Sequence, residues 1–295
     1  MTRGDRRTIE ELAELYELDP KRRDIYVEGP TDVYLFLRFL GQTNSESVVV
    51  YEISTVEIPV DLIKQYKLDD NNRDRVIVLA FVLASHLGEE ALQITCIADS
   101  DFDLVLNREY NCGVLLFTDY TCIEMYSFDE RCMDKFLNIC ICGFPHPADY
   151  VLGQLSLTLQ ELFLIRLANK LWGLGFTWMP FKRCCKLRDG EIVFDDEDFV
   201  KRYLNKNNML FRKEKFTDAI ESYRSKLTDN PRYHINGHDY IDLLAWYLAK
   251  HHVDSKLCDS KVVERSLLRC VEFNQLSSQS LFKQLLDRVN KADTL

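Results

Sequence analysis

Short β-branched runs alternate with helix-periodic stretches through the first 145 residues, and no other feature narrows the fold as much. Strands are expected at Asp24–Val27, at Ser47–Ile53, within "LQITCIADSDFD" (Leu92–Asp103) and within "GVLLFTDY" (Gly113–Tyr120). Between them, "IEELAELYEL", "TDVYLFLRFL", "DLIKQYKL" and "DRVIVLAFVLASHLG" read as helices, and "CIEMYSFDERCMDKFLNICI" turns helical after the last strand. The run Val76–Ala84 is so apolar that periodicity alone does not separate helix from strand. Strand–helix alternation implies an α/β fold with a parallel sheet flanked by helices.

After "GFPHPADY" the texture changes. A long apolar helix, "LGQLSLTLQELFLIRLANKLW", precedes a hairpin that turns at Asp189-Gly190, and amphipathic helices follow to the end. Three regions are therefore expected: an N-terminal helical segment over 1–20, an α/β domain over 21–145, and a mainly helical region with a small hairpin over 146–295. Pro145–Pro147 is the natural boundary.

Ligands of parallel sheets sit beyond the carboxyl ends of the strands. Two acidic features fall there: Glu28 in "IYVEGPTD", and the "DSDFD" stretch with Asp99, Asp101 and Asp103. In extended backbone, residues i and i+2 face the same way, so Asp99 and Asp101 are expected to aim together. Asp103 either joins them or faces water. Gly29-Pro30 bends the chain so that Asp32 returns toward Glu28, and Asp32 suits both a helix cap and a second metal ligand. Converging carboxylates repel unless a cation or a proton intervenes. Mg²⁺ or Mn²⁺ is the natural partner of an all-oxygen set. The plain alternative is a solvated acidic turn.

A formal net charge of −10 argues against a non-specific polyanion binder but not against an enzyme whose carboxylates hold metal. Basic patches nonetheless occur at "FKRCCKLR", with Lys182, Arg183 and Lys186, and at "FRKEK", with Arg212 and Lys213. Ten cysteines without a regular framework suggest reduced thiols and a cytoplasmic setting; Cys140, Cys142, Cys184 and Cys185 are read as buried thiols. No apolar run is taken to be long enough for a bilayer, and the polar N-terminus does not read as a secretory signal. His234, His238, His251, His252 and Cys258 have loose zinc-like spacing without a matching CxxC. No phosphate-binding GxxxxGK[ST] loop is present in the sequence, so the chain is not expected to be an NTPase itself.

"YVEGPTD" followed by "CIADSDFD" resembles the Toprim domain of topoisomerases, primases and OLD-type nucleases. The ordered set with "LLFTDYTCIEMYSF" and "INGHDYIDLLAWYL" is similar to the DUF4435 group of stand-alone Toprim nucleases, a group that includes effectors of PARIS-type anti-phage systems. The match covers roughly 24–127 and, more loosely, the helical half. The resemblance implies a Toprim-like sheet and a metal-dependent nuclease that attacks host RNA, with tRNA as the substrate class. It also implies an ABC/OLD-type ATPase partner that holds the nuclease inactive until infection.

By that resemblance Glu28 is the acid/base glutamate, Asp99 and Asp101 are metal ligands, Asp32 matches a second acidic position, and Glu124 sits at the IE position with a metal or structural role. His238 of "GHD" stands where a basic site residue is expected. From the residues alone, Glu28 serves equally as ligand or as general acid/base. A homodimer is expected on general grounds. Three other readings stay open: a DNA-cleaving OLD-like enzyme, a catalytically silent binding or signalling subunit, and a haloacid-dehalogenase-type phosphatase. The last is disfavoured by Asp103 in the fifth position of its motif.

Overall fold

The structure is a computed structural model that describes residues 6–43, 48–173 and 175–290. It divides into two compact units. Unit 1 comprises Met1–Ser100, Arg108–Asp119 and Glu272–Leu295; unit 2 comprises Asp101–Asn107 and Tyr120–Val271. The chain thus leaves the first unit inside the acidic stretch, between Ser100 and Asp101. Pro145–Pro147 lies within the second unit.

Unit 1 opens with a two-residue strand β1 (Arg7–Thr8) and helix α1 (Ile9–Leu18). A capping box starts α1: the Thr8 hydroxyl accepts the Glu11 N–H, and the Glu11 carboxylate accepts the Thr8 N–H. Then follow β2 (Arg23–Val27), α2 (Pro30–Leu40), β3 (Val48–Glu52), β4 (Val56–Glu57), α3 (Val60–Gln65), α4 (Asn72–Leu87) and β5 (Ile94–Ala98). Ser47 of the expected second strand lies outside the described residues. After α5 (Asp103–Leu106), which belongs to unit 2, β6 (Leu115–Phe117) completes the sheet. The sheet is parallel throughout, in the order β3-β2-β5-β6, as the alternation predicts; β1 pairs with β4 separately.

The ambiguous run around Val76–Ala84 is helix. Val76, Ile77, Val78, Leu79 and Ala80 are all fully buried, because α4 packs both on the sheet and on α1. A helix covered on two sides loses its polar face, which is why its pattern carries no clean period. Tyr16 of α1 crosses to β2, where its hydroxyl donates to the buried Asp24 carboxylate and also meets the Tyr26 hydroxyl.

Unit 2 continues with α6 (Glu130–Lys135), a π-helical turn Phe136–Ile141, α7 (Ala148–Trp172) and the antiparallel hairpin β7 (Cys185–Arg188) and β8 (Glu191–Phe194). The helices α8 (Asp196–Lys206), α9 (Lys213–Arg224), α10 (Gly237–Lys250) and α11 (Ser260–Cys270) complete it. One expectation needs correcting. α7 is long and apolar enough to cross a bilayer by length and composition, with a mean hydropathy of 1.3 over 18 residues. Gln154, Gln160, Glu161 and Arg166 interrupt the run in the sequence, which is why no continuous apolar stretch stands out there. Of that window 56% is buried, with Val151, Leu155, Leu159 and Leu162 fully covered.

The last two helices, α12 (Phe273–Ser277) and α13 (Ser280–Asn290), return to unit 1. Phe273 and Phe282 stack on Phe39 and Phe36 of α2 at 5.0 and 5.5 Å. Arg288 donates to the carbonyls of Ala91, Ile94 and Gly113 and to the Thr95 hydroxyl, tying α13 to the amino ends of β5 and β6.

Candidate active site

Strand order fixes where a ligand belongs in unit 1. From β2 the chain moves to β3 on one side, then crosses to β5 on the other. The order reverses between β2 and β5, and the crevice beyond their carboxyl ends is the switch point where open parallel sheets bind ligands. Tyr26 pairs with Cys96, so the two strands finish nearly level. Glu28 follows β2 and Asp99 follows β5, both half-buried. The Asp99 backbone N–H donates to Glu28 Oε1 at 2.8 Å, across 71 residues of sequence. The structure therefore brings the Glu28 carboxylate onto the backbone of Asp99, joining the two strand ends that the sequence marks with acids.

The surrounding residues hold this pair in place. Gly29 N–H donates to Asp32 Oδ2 at 3.1 Å at the start of α2, with Pro30 in the first turn, so Asp32 is a helix-capping side chain that closes the Glu28 turn. Asn72 at the start of α4 donates from Nδ2 to the Glu28 carbonyl at 3.0 Å. Its neighbour Arg73 donates from Nε to the Asp99 carbonyl at 2.7 Å and pairs with Asp74 at 3.0 Å. Arg73 is 8% exposed and Asp74 3%. The Arg73 guanidinium also lies 5.8 Å from the Phe117 ring and 5.9 Å from the Tyr110 ring. On the other side of Asp99, Ser100 is clamped by Thr118: Ser100 N–H donates to Thr118 Oγ1, and Ser100 Oγ donates to the Thr118 carbonyl at 2.6 Å.

Sequence reading missed Asn72, Arg73 and Thr118. The first two follow Asn71, the helix cap, in "NNRD", just before an apolar run; a cap beside a cation there was the available signal. Glu52 ends β3, level with Val27, and was also passed over. Its carboxylate accepts the Ser54 hydroxyl at 3.0 Å.

The remaining predicted residues belong to unit 2, where Asp101 takes a left-handed backbone, φ 45°, and its N–H donates to the Thr121 carbonyl at 2.8 Å. The strand has ended at Ala98, so the extended alternation that would aim Asp101 with Asp99 does not reach it. Phe102 packs on Phe163 with centroids 5.1 Å apart, and Asp103 is the buried first residue of α5. Glu124 is 7% exposed in a 3-10 turn, Ile123–Ser127. A Cβ on Gly237 would stand 2.3 Å from its Oε2, so the "IE" glutamate and the glycine of "NGHD" are packed face to face at the start of α10. That contact explains why the helix begins on glycine.

His238 is exposed beside the buried Asp239, whose carboxylate accepts from Nε and Nη2 of Arg166, while Arg166 lies 3.8 Å from the Trp178 ring centre. Lys182 pairs with Asp242 at 3.1 Å, and Arg183, Lys186 and Arg212 are exposed. Lys213 lines a cavity of about 100 Å³ with Glu161, Asp196, Glu197, Glu221 and Arg224.

All ten cysteines are free thiols; Cys184 and Cys185 are buried as expected, but Cys140, in the π-helical turn, is half-buried and Cys142, the residue that follows the turn, is exposed. His234 is buried and its pKa is depressed by that burial.

The donor set fits a hard cation better than a soft one: two strand-end carboxylates and no thiol or imidazole among their hydrogen-bond partners named above. Among the described residues no three His, Cys, Asp or Glu side chains gather into a metal cage. Mg²⁺ commonly uses one or two carboxylates and completes its shell with water and phosphate oxygens. No protein-family model matches the chain, and no curated protein matches it.

Proposed function

We propose that this chain is a Mg²⁺- or Mn²⁺-dependent nuclease that hydrolyses phosphodiester bonds beyond the carboxyl ends of β2 and β5. One observation carries the reading: Glu28 and Asp99 meet at the switch point of a parallel sheet. A bound divalent ion there would polarise the scissile phosphate and acidify a water molecule. Glu28 and Asp99 are the side chains that would hold it. The Asp99 N–H orients the Glu28 carboxylate, whether Glu28 serves as ligand or as proton acceptor. Asn72 and Asp32 fix the Glu28 turn, and Arg73 fixes the Asp99 turn.

The Toprim resemblance extends this proposal. It adds Asp101 as the second carboxylate of the DxD, host tRNA as substrate, an ATPase that holds the nuclease inactive, and an effector role in anti-phage defence. Purified free chain, incubated with tRNA, single-stranded RNA and duplex DNA, tests it. Cleavage with Mg²⁺ or Mn²⁺, abolished by EDTA and by Asp99→Asn, is expected. Cleavage of DNA alone would replace the RNA assignment. Absence of cleavage on every substrate would leave a binding or signalling subunit instead.

A further inference from the structure

The end of α8, the turn after it and the start of α9 in unit 2 present a surface that the strand-end site does not use. The stretch reads "NKNNMLFRKEK", Asn205–Lys215, with four cations against one carboxylate, Glu214, in a chain of formal net charge −10. Its 3-10 turn, Leu210–Arg212, holds Phe211 at 77% exposure and Leu210 at 40%. The Arg212 guanidinium lies 5.5 Å from the Phe211 ring centre and 6.0 Å from that of Trp172, which ends α7. Trp172 is itself braced edge-on by the buried Phe216 at 5.3 Å. The result is an aromatic–arginine–aromatic array at the surface, anchored from below at one end and open at the other. Lys215 in the first turn of α9 is exposed, Lys206 at the end of α8 is exposed but donates from Nζ to the Trp178 carbonyl at 2.8 Å, and Lys213 turns toward the acid-lined cavity.

We infer that this array is a docking surface for single-stranded RNA, with an unpaired base stacked on Phe211 and flanking phosphates held by Arg212 and Lys215. Exposed rings interleaved with cations are how proteins hold single strands without reading sequence: the rings take base faces and the cations take the backbone. A paired base has no free face to offer, so the surface favours single strands over duplexes. Local positive charge within an acidic chain directs the choice toward a polyanion. The choice of RNA among polyanions rests on the nuclease proposal; the surface itself does not.

The test separates binding from cleavage by using the full chain carrying Glu28→Gln. Its affinity for a labelled single-stranded RNA of about 15 nucleotides is measured by fluorescence anisotropy across a salt series. Phe211→Ala, an exposed change that leaves the fold alone, should weaken binding about ten-fold, and Phe211→Trp should restore it. Arg212→Gln should weaken binding and flatten the salt dependence by about one contact. Unchanged affinity in Phe211→Ala overturns the inference. Equal Phe211-dependent binding of a duplex does so too, as does binding to phosphatidylserine vesicles but not to RNA. Phe211-dependent binding by a wild-type chain that cuts nothing supports this surface and removes the nuclease. Cleavage with Phe211-independent binding keeps the nuclease and removes this surface.

Discussion

Glu28 and Glu124 are both carried by motif-like stretches, and both accept a place at the start of a helix, yet their surroundings differ in kind. Glu28 follows a strand of a parallel sheet, stays half-buried, and is oriented by a backbone N–H from the neighbouring strand end. Glu124 is 7% exposed, enclosed in a 3-10 turn, and pressed against Gly237 with no room for a methyl group between them. A carboxylate held by its neighbours yet reachable from solvent is arranged for chemistry. One that fills the only space a helix start leaves is arranged for packing. The difference supports the proposed site at Glu28 and favours the structural of the two roles, metal or structural, expected for Glu124.

Each unit also pairs a buried Asp with an Arg, which gives the comparison its largest expected effect. Arg73→Ala leaves Asp74 buried without its cation, and Arg166→Ala does the same to Asp239. Each should lower stability by roughly 3–5 kcal/mol in denaturant unfolding. Only Arg73→Ala should also slow cleavage per folded molecule, because only Arg73 holds the Asp99 turn. Equal losses of cleavage in both variants would remove the distinction between the units.

The Glu124 contact comes next. Gly237→Ala should destabilise the chain by about 1–3 kcal/mol through overpacking, and combining it with Glu124→Ala should recover part of that loss. Strict additivity of the two changes would mean that the carboxylate is not what the glycine accommodates.

The smallest effects concern pH, and they run in opposite directions. Burial raises the Asp24 carboxyl in unit 1, against the pull of the Tyr16 hydroxyl and Arg22. Its contribution is complete below the unfolded carboxyl value of 3.8 and is lost as pH rises through the raised folded value. Burial lowers His234 in unit 2, so its contribution is complete above 6.5 and is lost as pH falls toward the depressed folded value. Melting temperatures of Asp24→Asn and His234→Gln against wild type, taken from pH 3 to pH 8, should diverge on these opposite limbs.

Much of unit 1 was legible because parallel-sheet strands are short, β-branched and bounded by turns, and because a charge at the end of such a strand stands out. The readings of Asp24–Val27 and of the strand before "DSDFD" show this. What the sequence could not supply is what an amphipathic helix packs against: α13 has the same pattern as α11, yet its Phe282 rests on α2 of unit 1 while Leu267 of α11 is buried in unit 2. The bracing of the site was hidden for a related reason. Asn72 and Arg73 reach Glu28 and Asp99 across 44 and 26 residues, and the helix cap that marks their place in "NNRD" does not name their partners. Asp101 shows the limit of local geometry, since one left-handed residue cancels the alternation rule that paired it with Asp99.

The most direct test of the account is the rate at which Glu28→Gln cleaves tRNA beside wild type, at equal protein and saturating Mg²⁺. Glutamine keeps an oxygen for the Asp99 N–H but gives up the charge and the basicity. The account predicts a fall on the order of 100-fold or more with an unchanged melting temperature. Cleavage by Glu28→Gln at the wild-type rate would contradict it.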